Sequence, residues 1–132
     1  MSLLKLILSL SLIIFSMCVT SKEVVNCAHK QIGIYYKWGG QSPKTGFDCS
    51  GLAYYCHKYT IPRVSRDQAR KNKVSLNSIK PGDLLFFAKN GKIHHTAIYI
   101  GNKKYIEAPY TGQKVRITPF KRKIASASRY WR

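Results

Sequence analysis

Residues 81–102 read PGDLLFFAKNGKIHHTAIYIGN, and this stretch decides the fold. Pro81-Gly82 is a turn, and Asp83 to Ala88 is a compact apolar strand built on Leu84-Leu85-Phe86-Phe87. Asn90-Gly91 is a strong hairpin signal, because both residue types accept the positive φ that a two-residue turn requires. Lys92 to Ile100 returns as the next strand, and Gly101-Asn102 turns again into Lys104 to Ala108. Val115 to Thr118 and Arg129 to Trp131 supply further short strands.

Upstream the pattern is helical. Glu23 to Gln31 forms a short amphipathic helix closed by Gly33, and a loop rich in Gly, Ser and Pro runs from Gly39 to Phe47. Asp48 caps a second helix from Cys49 to about Tyr59, whose Leu52, Ala53, Tyr55 and Cys56 share one face. Pro62 breaks it, and Ser65 with Gln68 three residues on reads as a capping box starting another helical turn or two. Helices followed by a run of hairpins predict an α+β domain, with N-terminal helices packed on an antiparallel sheet of about five or six strands.

The start of the chain has the form of a secretory leader. Lys5 gives a basic start, Leu6 to Phe15 is apolar, and Ser16, Cys18 and Thr20 offer small residues for cleavage near 18–21. The expected organisation is a leader over residues 1–20 and one domain over 21–132, secreted and without a stable membrane anchor. A short retained anchor is the alternative. A lipid-anchor box ending at Cys18 is disfavoured, because bulky Met17 stands where a small residue is wanted.

Lys+Arg number 23 against 5 Asp+Glu, a formal net charge of +18. Such a field attracts polyanions, whether nucleic acid, anionic membrane or bacterial wall, and charge alone does not choose among them. The basic residues are not interleaved with stacking aromatics in a recognisable module, so no specific nucleic acid is expected. The hydrophobic content of 45% argues against disorder. Beyond the leader lie Cys27, Cys49 and Cys56, an odd count that fits one disulfide plus a reactive thiol, or three thiols. The absence of any C-x-x-C pair argues against a structural zinc site, and neither metal nor cofactor is expected.

Cys49 is the sharpest chemical feature. It follows an N-cap, so its sulfur lies in the first turn of a helix, where free N–H groups and the positive end of the macrodipole favour an anion. A thiol of ordinary pKa about 8.5 is drawn toward thiolate there. A nucleophile needs a base, and the candidates are His29, His57, His94 and His95. His94 and His95 share a strand and face opposite sides, and periodicity does not decide which meets Cys49.

The residues carry a family resemblance at this point. Tyr36-Lys37-Trp38-Gly39-Gly40, Ser42-Pro43, Gly46-Phe47-Asp48-Cys49-Ser50-Gly51-Leu52, Pro62-Arg63-Val64-Ser65 with Gln68, Pro81-Gly82-Asp83-Leu84, His95-Thr96-Ala97-Ile98-Tyr99-Ile100-Gly101 and Ile106-Glu107-Ala108-Pro109 stand in the order and spacing of their counterparts elsewhere. Together they resemble the NlpC family of papain-like cysteine endopeptidases. The resemblance implies a papain-like core and hydrolysis of peptidoglycan stem peptides, usually between γ-D-glutamate and the diamino acid. Matched position by position, Cys49 is the nucleophile and His95 the base, while Tyr36, Asp48 and Ser50 line the substrate site. It also implies that the first helix packs near the nucleophile helix, so a Cys27–Cys56 disulfide is an expectation, with two buried thiols as the alternative.

One position departs from the family. Its third polar catalytic residue is usually His, sometimes Asn or Gln, and here it is Glu107. A hairpin at Gly101-Asn102 places Glu107 opposite or diagonal to His95, where a carboxylate orients the imidazole and favours its protonated form. The expected protein is a secreted peptidoglycan endopeptidase held on anionic wall polymers by its basic surface. Two rivals stand beside it: a cationic wall-binding protein weakened through Glu107, and a thiol amidase acting on another amide.

Overall fold

The computed structural model describes residues 18–132. The leader expected over residues 1–20 thus lies, up to residue 17, outside the described residues. Val19 and Thr20 belong to the fold: Val19 is buried and Thr20 caps the first helix.

Helix α1 spans Ser21–Lys30, beginning two residues earlier than its periodicity indicates. The Thr20 hydroxyl accepts the Glu23 N–H at 3.1 Å and donates to the Glu23 carboxylate at 3.2 Å, closing the first turn, while His29 and Lys30 occupy the last. Val24 and Ala28, four apart, bury its inner face. The expected Gly39–Phe47 loop contains a two-residue ladder, β1 (Gln41–Ser42) with β2 (Gly46–Phe47).

Helix α2 spans Cys49–Cys56. It stops short of Tyr59 because Lys58 and Tyr59 both take positive φ, outside the helical region. Helix α3 is a single turn, Ser65–Gln68, and its expected capping box does not form: Val64 is the N-cap, without a side-chain cap bond.

The sheet comprises β3 (Lys73–Val74), β4 (Leu84–Lys89), β5 (Lys92–Gly101), β6 (Lys104–Glu107), β7 (Arg116–Pro119) and β8 (Ser126–Ser128), ordered β3-β8-β4-β5-β6-β7. All neighbours pair antiparallel. The Asn90-Gly91 hairpin is present, both residues at positive φ. The last strand, expected at Arg129–Trp131, is Ser126–Ser128 instead. Arg129 and Trp131 are drawn out of strand duty by Asp83, which is fully buried and accepts from Arg129 Nε and Nη2 at 2.8 Å each and from Trp131 Nε1 at 2.7 Å. The backbone closes on itself beside this knot, where Arg132 N donates to Val19 O at 2.9 Å.

Alternation divides the sheet into two buried faces. Leu84, Phe86, Ile98 and Ile106 pack with Val24, Ala28, Leu52 and Ala53 of the helices. Leu85, Phe87, Ala97, Tyr105 and Ala127 form the other face, covered by Phe120 and Ile124. A Cys27–Cys56 disulfide, with Cα atoms 5.5 Å apart, ties α1 to α2 within the first layer.

The disulfide closes a loop of sequence separation 29, for which chain entropy gives about 3.6 kcal/mol of stabilisation. Denaturant unfolding of a Cys27→Ser/Cys56→Ser double variant should show a loss of that order. Alkylation and intact-mass measurement of the unreduced protein should leave Cys27 and Cys56 unmodified; modification of both without reductant would remove the crosslink.

Candidate active site

The nucleophile candidate is positioned by its neighbour. Asp48, the N-cap of α2, accepts the Gly51 N–H on Oδ1 at 2.6 Å. Its other oxygen accepts Gly39 N–H at 3.1 Å and Arg63 Nη2 at 2.8 Å, and Arg63 Nη1 reaches Oδ1 at 3.0 Å. Arg63 also donates to Ser50 Oγ at 2.9 Å and to Gln41 Oε1 at 2.8 Å. One carboxylate thus fixes the start of α2, the β1 approach and the segment before α3. Gly51 is required by close approach, since a Cβ there would fall on the Gly40 carbonyl oxygen.

Ser65 and Gln68, freed from capping, serve the site. Gln68 is fully buried and donates to Ser50 O at 3.1 Å and Pro62 O at 2.8 Å. It accepts from Thr96 Oγ1 at 2.9 Å, Thr96 lies 2.7 Å from Ser65 Oγ, and Ser65 Oγ lies 3.6 Å from Cys49 Sγ. A hydroxyl chain therefore runs from the buried amide to the sulfur.

The histidine comes from the other face of the sheet. Phe87 pairs with His95 while Ala88 pairs with Ile93, so His94 is the extra residue of a β-bulge. His94 is exposed and His95 only 5% exposed. A bulge bends its strand and steepens the local twist, and His95, next to it, is within hydrogen-bonding reach of Cys49. The β5–β6 register, in which Ile98 faces Ile106, sets Glu107 diagonally from His95, and Glu107 Oε1 lies 2.8 Å from His95 Nε2. That contact leaves Nδ1 for the sulfur.

Glu107, 1% exposed, collects further donors: Thr118 Oγ1 at 2.7 Å, Arg116 Nε and Nη2 at 3.4 Å each, and Arg122 Nη2 at 3.2 Å. Burial raises its pKa, but hydrogen bonds from His95 and Thr118 and the charges of His95 and Arg122 outweigh burial and hold it at about 2. Burial pushes the His95 pKa down; bonds and charge from Cys49 and Glu107 outweigh it and raise the pKa overall. Cys49 mirrors it, burial opposing ionisation while His95, the Thr96 backbone and Ser65 lower its pKa overall. The electrostatics thus favour a thiolate beside an imidazolium.

Two grooves meet at Cys49. One, about 600 Å³, is lined by Tyr36, Trp38, Asp48, Ser50, Arg63 and Ser65 among others. The other, about 500 Å³, is lined by Tyr36, His95, Glu107, Arg116, Lys121 and Arg122 among others. Tyr36 borders both; burial, then the charges of Cys49 and Asp48, raise the pKa of its phenol and keep it a donor. Trp38 is 84% exposed at a groove rim, so it serves no core.

All six residues singled out for chemistry (Cys49, His95, Glu107, Tyr36, Asp48, Ser50) converge here. Arg63, Thr118, Arg116 and Arg122 were not singled out as site residues. The signal for Arg116 and Thr118 is their two-residue spacing on one strand, which becomes readable only once β7 is known to flank β6. Among the described residues no three His, Cys, Asp or Glu converge as metal ligands.

The sequence and fold have counterparts among known proteins. The model of the NlpC/P60 family matches residues 33–131. The murein DD-endopeptidase MepH of Escherichia coli is 41% identical over 107 residues, covering 74% of this chain and 40% of its own length. The gamma-D-glutamyl-L-lysine dipeptidyl-peptidase of Bacillus subtilis is 42% identical over 105 residues, 74% of this chain and 35% of its own. This chain therefore spans well under half of either relative. A crystal structure of an NlpC/P60 family protein from Bacillus cereus superposes with a TM-score of 0.80 at 35% identity, over 87% of this chain and 41% of that one. The NlpC/p60 domain of the peptidoglycan hydrolase SagA gives 0.72 at 35% identity, over 83% and 98% respectively.

The thiolate–imidazolium pair has a direct readout. Alkylation at Cys49 by iodoacetamide, followed by peptide mapping against pH, should stay fast well below the ordinary thiol pKa of about 8.5. Glu107→Gln removes a charge that holds the His95 proton, so the alkylation profile should move to higher pH. A wild-type rate climbing about tenfold per pH unit up to 8.5, as for an unperturbed thiol, would contradict the pairing.

Proposed function

The chain belongs to the NlpC/P60 family, and on that footing we propose that it is a secreted cysteine peptidase that cuts peptidoglycan stem peptides between γ-D-glutamate and the diamino acid. The observation that carries this reading is the buried 2.8 Å contact between His95 and Glu107 beside a Cys49 of lowered pKa. The names of the two relatives point to different bonds, a DD-endopeptidase of murein and a gamma-D-glutamyl-L-lysine dipeptidyl-peptidase, so the choice of bond rests on the grooves. A γ-linked D-glutamate keeps a free α-carboxylate three carbons from the scissile carbonyl, and the Tyr36 phenol, which borders the groove on the Asp48 side of Cys49, is a donor for it.

In the proposed reaction the Cys49 thiolate attacks the scissile carbonyl carbon, and the oxyanion is met by N–H groups at the start of α2, that of Cys49 included. His95 gives its Nδ1 proton to the departing amine, and the C–N bond breaks to leave a thioester. Neutral His95 then takes a proton from water as the hydroxide adds, and release of the carboxylic acid restores thiolate and imidazolium. Glu107 keeps the ring oriented and favours its charged form, as carboxylates do in related triads. Five donor contacts hold that side chain in place, which supports the active reading over a weakened wall binder.

Secretion is supported by the leader-like start and by a disulfide, which persists in oxidising compartments. With a net charge of +18, the surface holds the enzyme on anionic wall polymers.

Purified peptidoglycan fragments, digested by the protein and by Cys49→Ala and read by mass spectrometry, should be cut at the γ-D-glutamyl bond by the former only. Glu107→Gln should lower kcat/KM by about 100-fold. Cleavage surviving in Cys49→Ala, or no cleavage by folded protein with a reactive Cys49, would overturn the assignment. Binding to intact sacculi should weaken as salt rises from about 0.05 to 0.5 M, because screening shortens the reach of surface charge; salt-independent binding would contradict the electrostatic anchor.

A further inference from the structure

The groove on the far side of Cys49 has a charge of its own. It is the groove that His95 lines, whereas the Asp48 groove is not lined by His95. Since the imidazole must deliver a proton to the departing nitrogen, the groove it overlooks is where the leaving half of the substrate lies. Three cations face that space: Arg116, Lys121 and Arg122.

Glu107, the acidic side chain there, is buried and committed to His95, Thr118 and the two arginines. With the Cys49 thiolate and the His95 imidazolium cancelling, its single negative charge offsets one of the three cations, and a net positive charge remains in the groove. The arginine forks are not swallowed by that contact, since their side chains are 38% and 42% exposed. Arg122 sits over the Phe87 ring at 4.4 Å and Arg116 over Tyr110 at 6.0 Å, cation–π contacts that hold both guanidinium groups at this wall. Lys121 is exposed at the same wall.

We propose that this groove selects a leaving group with a free carboxylate at the end of its side chain, namely a diaminopimelate-type residue, over one ending in a lone ammonium, namely lysine. This deepens the endopeptidase reading and rests on it. The two residues present the same nitrogen to the scissile bond and differ at the far end, where diaminopimelate carries a carboxylate beside its amine. Arginines pair with a carboxylate, and a bare ammonium entering a cationic groove meets like charge.

The test uses three matched tripeptides, L-Ala-γ-D-Glu followed by meso-diaminopimelate, by meso-diaminopimelate amidated on the side-chain carboxylate, or by L-lysine. The first should be cut with kcat/KM at least about tenfold above the other two. Lys121→Glu, an exposed change with no ion pair to Glu107, should cut that preference about tenfold by slowing the first peptide and speeding the lysine one. Equal rates on all three, a preference for lysine, or a preference untouched by Lys121→Glu would overturn the selection while leaving a Cys49-dependent endopeptidase standing. No cleavage of any peptide by protein whose Cys49 still alkylates would overturn the endopeptidase reading, and this inference with it.

Discussion

A buried carboxylate is the constraint on which the site depends. Removing an ionised group like Glu107 from water costs several kcal/mol unless charge and hydrogen bonds replace the lost solvent. The replacements come from four residues in three places: His95 on β5, Arg116 and Thr118 on β7, and Arg122 in the segment after it. None of these can leave without exposing the cost, so the register of three strands and the course of residues 120–124 are tied to the orientation of one imidazole. The same charge that orders the sheet edge raises the pKa of His95.

The acidic residues are few, and their use follows from that scarcity. Three of the chain's 5 acidic side chains, Asp48, Asp83 and Glu107, are hubs that gather arginine. Asp48 holds Arg63 and the start of α2, Asp83 holds Arg129 and Trp131, and Glu107 holds the histidine. With 23 basic residues available, each inward carboxylate is supplied with donors. The remaining cations are left on the surface and in the groove beyond Cys49.

Much of this was legible in the sequence. Asp48 as a cap, the Asn90-Gly91 hairpin and the change from helical to two-residue period gave the layers, because each is a local preference that packing had no reason to override. The limits were physical. Ser65 and Gln68 fit a capping pattern, yet their side chains were claimed by Cys49, Thr96 and Ser50, contacts that no local rule contains. Arg129–Trp131 has strand-like residues, but buried Asp83 needed two of them. The histidine pair is the clearest case. Thr96 and Ile98 face the helices, so strict alternation would have turned His94, not His95, toward Cys49. The family resemblance chose His95, and the bulge at His94 is how the backbone accommodates it.

The bond between Arg132 N and Val19 O also has an architectural meaning. A fold in which the backbone at Val19 and the backbone at Arg132 share a hydrogen bond brings its two ends to one spot on its surface. Such a unit can be set into a longer chain as an insert on a single stalk, or cut open at an exposed turn and resealed at Val19 and Arg132, without redrawing the sheet. Evolutionary shuffling of this domain among longer proteins therefore requires no remodelling of its core, only a place to attach.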